Sequence, residues 1–194
     1  SQAHASHAAP KDWKEEDSTE NKTVIANLIR SHNPDILALQ EIPTPSWLPM
    51  IVSFEHYIPL GNVQTHCGFT TLLIRPQLAK NIQNVYQVGP SIIAFWKNQS
   101  IMLSISSSHL YPGKEGSAER LEQYTALWKC ANLHKATHMV FAGDMNMRGH
   151  EDTNIESICH PSLNDVWKTI GNPRTKWTMN TKVNHYHKNR FEFT

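Results

Sequence analysis

The chain is poor in cysteine and carries almost no net charge. Its three cysteines, Cys67, Cys130 and Cys159, stand far apart, with no C-x-x-C pair and no zinc spacing. An odd, scattered set excludes a disulfide framework and points to reduced thiols, as in a nuclear or cytosolic protein. The formal charge of +1 over 194 residues leaves no global basic field. Attraction to nucleic acid would therefore be local, and tight nonspecific duplex binding is not expected. No apolar run approaches the ~20 residues of a membrane helix, so no membrane partner is expected. The first 13 residues have neither the apolar core of a signal peptide nor the arginines of a transit peptide, and they read as a flexible leader. The sequons at Asn21 and Asn98 are common chance tripeptides.

What is present is globular. Hydrophobic residues make up 39% of the chain and include six Trp and six Phe, enough to anchor a core in one domain over 14–194. Asp17 to Glu20 offers a capping box, followed by Val24, Ile25, Leu28 and Ile29 at helical spacing. Asn33-Pro34 ends that helix. Ile36 to Leu39 reads as a buried strand, with further strands at Phe54 to Leu60, Phe69 to Arg75, Ile92 to Trp96, Ser100 to Ser106 and His138 to Ala142. A helix over Ser117 to His134 places Leu121, Leu127, Trp128 and Leu133 for burial, and Asp165 to Ile170 reads as a short helix. Arg190 to Phe193 begins a last strand. Strands dominate, which predicts an α/β architecture of two sheets packed face to face and covered by helices.

Apolar strands end in polar residues that packing does not require. One run ends in Gln40-Glu41, one in Ser107-Ser108-His109, and one in Gly143-Asp144-Met145-Asn146-Met147-Arg148. If these ends converge, carboxylates meet an imidazole, an amide and a guanidinium. Carboxylates suit a hard Mg²⁺. A second carboxylate can deprotonate water, and N–H donors can stabilise a transferring phosphoryl group. Each residue alone has a plain reading: a solvated Glu41, a structural His109, a Gly-Asp turn at Asp144, a surface Arg148. The histidine pairs His4/His7 and His185/His187 lack partners at zinc spacing and read as incidental.

The ordered set Asp35-Ile-Leu-Ala-Leu-Gln-Glu41, Ser107-Ser-His109-Leu110, Ala118-Glu-Arg-Leu-Glu-Gln123, Phe141-Ala-Gly-Asp144-Met-Asn-Met-Arg148, Asp165-Val-Trp167, Trp177-Thr178 and Arg190-Phe-Glu192 resembles the exonuclease–endonuclease–phosphatase family over roughly Lys14 to Glu192. The resemblance implies a four-layer α/β sandwich with two packed mixed sheets flanked by helices. It implies an Mg²⁺-dependent phosphodiesterase, with Mn²⁺ as the substitute ion, acting on DNA 5′ ends that carry a covalent tyrosine adduct of topoisomerase 2. Glu41 would coordinate the metal, Asp144 would activate water, Asn146 would orient water and phosphate, and His109 would contact the phosphate. Arg148 and Ser108 would bind substrate. Trp47, in the apolar Pro43 to Val52 segment, would stack on a base or anchor its loop. Asp165 and Glu192 would support the site. The implied compartment is nucleus or cytoplasm, with an organelle also compatible.

The family's first strand carries a Trp-Asn pair where this chain reads His4 to Pro10, and the family's last strand carries a Ser-Asp-His segment with no counterpart up to Thr194. Glu192 stands where the family has Asp. These departures imply a domain incomplete at both ends, and they frame an alternative: a catalytically inactive relative acting as a structural or interaction subunit. A lipid or inositol phosphate hydrolase, or one acting on an RNA tail, is the third expectation; the large apolar insertion that would favour it is not seen.

Overall fold

The computed structural model describes residues 15–148, 151, 155, 157, 163–171, 179–180 and 192–193. The elements run α1 (Glu15–His32), β1 (Ile36–Ile42), a 3-10 turn (Pro45–Trp47), α2 (Leu48–Ile51), β2 (Ile58–Thr65), β3 (Gly68–Ile74), α3 (Pro76–Ala79), β4 (Ile82–Val88), β5 (Ser91–Asn98), β6 (Ile101–His109), α4 (Ser117–Leu133), β7 (His138–Asp144), α5 (Val166–Ile170), β8 (Met179–Asn180) and β9 (Glu192–Phe193). The first sheet has the order β1-β3-β2 and is antiparallel. The second has the order β4-β5-β6-β7, antiparallel except for the parallel β6–β7 pair. Helix α4 makes the crossover that a parallel neighbour requires.

Period-two alternation along the strands builds the layers. In β1, Leu37 faces α1 and packs with Ile29, Ile51 and Leu73, while Leu39 borders the same cluster. Its neighbours Ile36 and Ala38 face the other way, toward Leu72, Ile92, Ala94 and Ile105 between the sheets. In β5, Ile92 and Ala94 face that interlayer, while Ile93 and Phe95 pack on Leu127 and Ala131 of α4. The order is therefore helix, sheet, sheet, helix: the expected four-layer α/β sandwich.

Several local expectations change. Helix α1 begins at Glu15, so the Asp17 to Glu20 stretch lies inside it rather than at its start. Only Ile25 and Ile29 of its apolar stripe pack, while Val24 and Leu28 are half exposed. Leu133 is 78% exposed, because it falls in the last turn of α4, beyond the sheet. Phe54 to His56 is a turn rather than the start of a strand. Ser53 causes it: its carbonyl accepts the His56 and Tyr57 N–H groups, and its hydroxyl accepts the Glu55 N–H at 3.3 Å. Strand β2 then runs on through Gly61, which lies against Ile92, to Thr65. Strand β4 is an edge strand whose mostly exposed residues (IQNVYQV) give little apolar alternation. The Pro43 to Val52 loop contains the 3-10 turn and α2. Among the described residues no helix is long and apolar enough to cross a membrane. The leader and the histidine pairs at 4/7 and 185/187 lie outside the described residues.

Gly143 is where β7 needs glycine. Its φ is +130°, and an added Cβ would strike the backbone oxygen of Ser108 on the adjacent strand. Gly143→Ala is expected to cost about 1–3 kcal/mol, read as a lower denaturant midpoint with the slope unchanged.

Candidate active site

Three strand ends meet at one edge of the sandwich. Glu41 comes from the first sheet. His109 and Asp144 end the parallel pair β6 and β7, where they stand in register. His109 Nε2 lies 3.7 Å from Glu41 Oε1 and 4.0 Å from Asp144 Oδ2. One ligand atom from each of the three residues falls within 4.8 Å of the others. The imidazole is 1% exposed, whereas the two carboxylate side chains are 61% and 52% exposed. A buried ring thus backs two carboxylates that remain open to solvent.

Backbone geometry aims these groups. Glu41 has a φ of +56° at the irregularity between Leu39 and Ile42, which turns its side chain out of the strand's alternation. Such a conformation costs a non-glycine residue about 1–3 kcal/mol, and residues of this kind cluster at functional sites. Asn146 is likewise left-handed, with φ +51°. Its N–H donates to Asp144 Oδ1 at 2.9 Å, closing an Asx-type turn and leaving Oδ2 toward His109. Its side-chain Nδ2 donates to the Leu110 carbonyl at 2.9 Å. Because that partner is an acceptor, the amide nitrogen must face it and the amide oxygen faces the other way. The Leu110 N–H in turn donates to the Asp144 carbonyl at 3.0 Å.

The loop beyond Asn146 is held by a buried ion pair that sequence reasoning missed. Arg120 of α4, fully buried, donates to Glu151 through Nε at 2.9 Å and Nη2 at 2.5 Å. Its Nη1 donates to the carbonyls of Tyr111 and Gly113 at 2.9 and 2.7 Å. The Glu151 N–H donates to the Arg148 carbonyl at 2.8 Å. Hydrogen bonds from Arg120 hold the Glu151 carboxyl down to about 2, against an ordinary 4.5. The segments after His109 and Asp144 are thereby tied to one helix.

Two turn residues lie near the cluster. The exposed His66 ring is 5.1 Å from the His109 ring and 6.0 Å from that of Tyr111. Partial burial, and then the charges of Glu41 and Asp144, push the neighbouring Cys67 thiol above its ordinary range. The sequence marks this turn by Gly68, whose φ is +118°, but nothing in it marks His66 or Cys67 as neighbours of the cluster.

The other expected site residues scatter. Ser108 is fully buried and shares a hydrogen bond with Ser106 at 3.3 Å. Its hydroxyl therefore lies among the buried serines of β6. Trp47 is half-buried against the α1 cluster, with Lys22 Nζ 4.2 Å from its ring centroid. Arg148 is half-buried on the Asp144 loop. Asp165 caps α5, its Oδ1 accepting the Lys168 N–H at 3.3 Å. The Glu192 side chain lies outside the described residues.

The donor set fits a hard divalent cation. Two accessible carboxylates converge with an imidazole, and oxygen ligands are what Mg²⁺ prefers. Asp144 offers the cluster its Oδ2, because its Oδ1 accepts the Asn146 N–H.

Comparison with known proteins gives the family and the fold. The model of the endonuclease/exonuclease/phosphatase family matches residues 15–189. Tyrosyl-DNA phosphodiesterase 2 of Xenopus laevis is 27% identical over 183 residues, covering 88% of this chain and 48% of that protein. The Homo sapiens protein of the same name is 24% identical over 170 residues, covering 82% and 46%. The chain spans about half the length of the curated relatives it matches. Among solved structures, truncated tyrosyl-DNA phosphodiesterase 2 of Caenorhabditis elegans superposes with a TM-score of 0.72 at 19% identity, covering 90% of this chain and 73% of that one. The D. rerio protein complexed with single-strand DNA product gives 0.70 at 20% identity, covering 94% and 75%. The chain belongs to the endonuclease/exonuclease/phosphatase family.

Proposed function

We propose that this member of the family is a divalent-metal-dependent phosphodiesterase that hydrolyses 5′-phosphotyrosyl DNA ends, with Mg²⁺ as its ion and Mn²⁺ as a substitute. The observation that carries the reading is the convergence of Glu41, His109 and Asp144 from separate strands. Fold maintenance does not require two exposed carboxylates facing a buried imidazole. An intact cluster favours catalysis over the structural-subunit reading. The relatives' shared name and the single-strand DNA product bound to one of them support the substrate class.

The roles follow from the chemistry. Glu41 holds the ion. When bound, the cation polarises the phosphate and stabilises charge on the leaving oxygen. Asp144 Oδ2 accepts a proton from the attacking water, while its Oδ1 is kept in place by the Asn146 N–H. The Asn146 amide orients that water and a phosphate oxygen. His109 donates to the phosphate from its buried position, where a donor is worth more than in water. Arg148 neutralises charge on the substrate near the Asp144 loop. Water adds to phosphorus, the bond from phosphorus to the tyrosyl oxygen breaks, and a 5′-phosphate and a phenolic tyrosine are released. Removal of topoisomerase 2 remnants, and residence where such DNA occurs in nucleus or cytoplasm, belong to the same proposal.

The test is a substrate panel with Mg²⁺: a 5′-phosphotyrosyl oligonucleotide, an unmodified single strand, an inositol polyphosphate and a sphingomyelin vesicle. Preferential release of tyrosine from the first is expected. Turnover confined to the inositol or lipid substrate would sink the reading.

A further inference from the structure

Glu41 belongs to one sheet, and His109 and Asp144 belong to the other. The site therefore exists only in one alignment of the two sheets. The aliphatic interlayer of Leu72, Ile92 and Ile105 fixes how far apart the sheets lie. Apolar contact is non-directional, so a hydrogen bond between the sheets adds a directional constraint on their alignment. A directional tie is present next to the site. Gln40 Nε2 donates to Ser107 Oγ at 2.9 Å, crossing from β1 to β6. The same hydroxyl lies 3.5 Å from the Leu39 carbonyl, also in β1. Ser107 is fully buried, so water does not compete for its hydroxyl.

The placement of this pair suits alignment. Gln40 immediately precedes Glu41, where the backbone turns left-handed. Ser107 lies two residues before His109, on the register that also fixes Asp144. We infer that Gln40 and Ser107 are a positioning pair: their hydrogen bond sets the Glu41 carboxylate against His109 and Asp144, and so sets the affinity for a divalent cation. Neither residue is a catalytic residue, since each acts through its neighbour. The inference rests on reading the cluster as a cation site.

The test uses the full chain and Mn²⁺ alone, followed by electron paramagnetic resonance of the free ion. Wild type, Glu41→Gln, Gln40→Met, Ser107→Ala and the Gln40→Met/Ser107→Ala double variant are titrated. Ser104→Ala is the control: it is a fully buried serine of the same strand, with its hydroxyl 3.5 Å from the His138 carbonyl and far from the site. Gln40→Met and Ser107→Ala are each expected to weaken Mn²⁺ binding about 10–100-fold, the range seen when groups that orient a ligand are removed. The double variant should be no weaker than the weaker single, because both remove one bond. Ser104→Ala should bind as wild type does, even if it melts earlier. Gln40→Met is the variant to rely on if Ser107→Ala does not fold, since Gln40 is only half-buried. Binding that is lost in Glu41→Gln but within twofold of wild type in folded Gln40→Met overturns the positioning role alone. Failure of wild type to bind Mn²⁺ overturns the cation reading and the positioning role with it.

Discussion

Replacing Asp144 by Asn is expected to lower kcat for 5′-phosphotyrosyl hydrolysis about 10²–10⁴-fold, the range for a lost general base, with little change in melting temperature. The asymmetry follows from the two oxygens of this side chain. Oδ1 accepts the Asn146 N–H at 2.9 Å, and an asparagine carbonyl can take over that bond, so the loop keeps its shape. Oδ2 faces His109 Nε2, and there an amide cannot accept the proton of attacking water. The carboxylate is half exposed, so its replacement removes little packing. Glu41→Gln should behave differently. Its main effect is on ion binding, so the Mg²⁺ concentration for half-maximal rate should rise, and saturating Mg²⁺ should recover part of the activity. Steady-state kinetics across a Mg²⁺ titration separates the two. Equal metal dependence in both variants would contradict the division of roles.

Arg120→Met is expected to destabilise the chain by about 3–5 kcal/mol, the cost of leaving one member of a buried ion pair without the other. The replacement strands the Glu151 carboxylate, which is 3% exposed. It also removes the donor to the Tyr111 and Gly113 carbonyls. Arg120→Met with Glu151→Leu should recover much of the loss, because apolar residues of similar volume often match a buried pair. The pair should also make the chain acid-labile. The folded carboxyl is depressed to about 2 from an ordinary 4.5. Its contribution is therefore complete above the unfolded value and is lost as pH falls through the folded one. Roughly 3 kcal/mol is at stake over that interval. Guanidinium melts at pH 7, 4 and 2.5 check this: the wild type should lose stability relative to the double variant below about pH 4.5. A constant difference would show that the carboxylate is not coupled to folding.

Much of this architecture is legible in the sequence because its interior strands are strongly apolar. Ile36 to Leu39 and Ile92 to Phe95 are such strands, His138 to Ala142 reads as an apolar run although β7 is a half-exposed edge, and the polar residues that end β1, β6 and β7 mark the candidate site. Glu41, His109, Asp144 and Asn146 were readable because each stands where an apolar run stops for no packing reason. Strand β4 was not, since its polar residues carry no clear period. Arg120 was hidden for a different reason: in a helix sequence a charged residue looks solvated, and only the fold shows that it points at Glu151. Ser108 is the opposite case: a serine beside His109 reads as a substrate contact, and its full burial beside Ser106 has no mark in the sequence. Gln40 was visible only as the neighbour of Glu41, since a bond between two sheets leaves no trace in either strand alone.

The central claim is that the strand-end cluster is a metal-dependent phosphodiesterase site. Its most direct test is tyrosine release from a 5′-phosphotyrosyl oligonucleotide by the chain as given, with Mg²⁺, with excess chelator, and with Glu41→Gln in parallel. Release that requires Mg²⁺, stops on chelation, leaves a 5′-phosphate and is impaired in Glu41→Gln is the predicted result. A folded wild-type chain that releases no tyrosine with Mg²⁺, or releases it equally with chelator, would contradict the account.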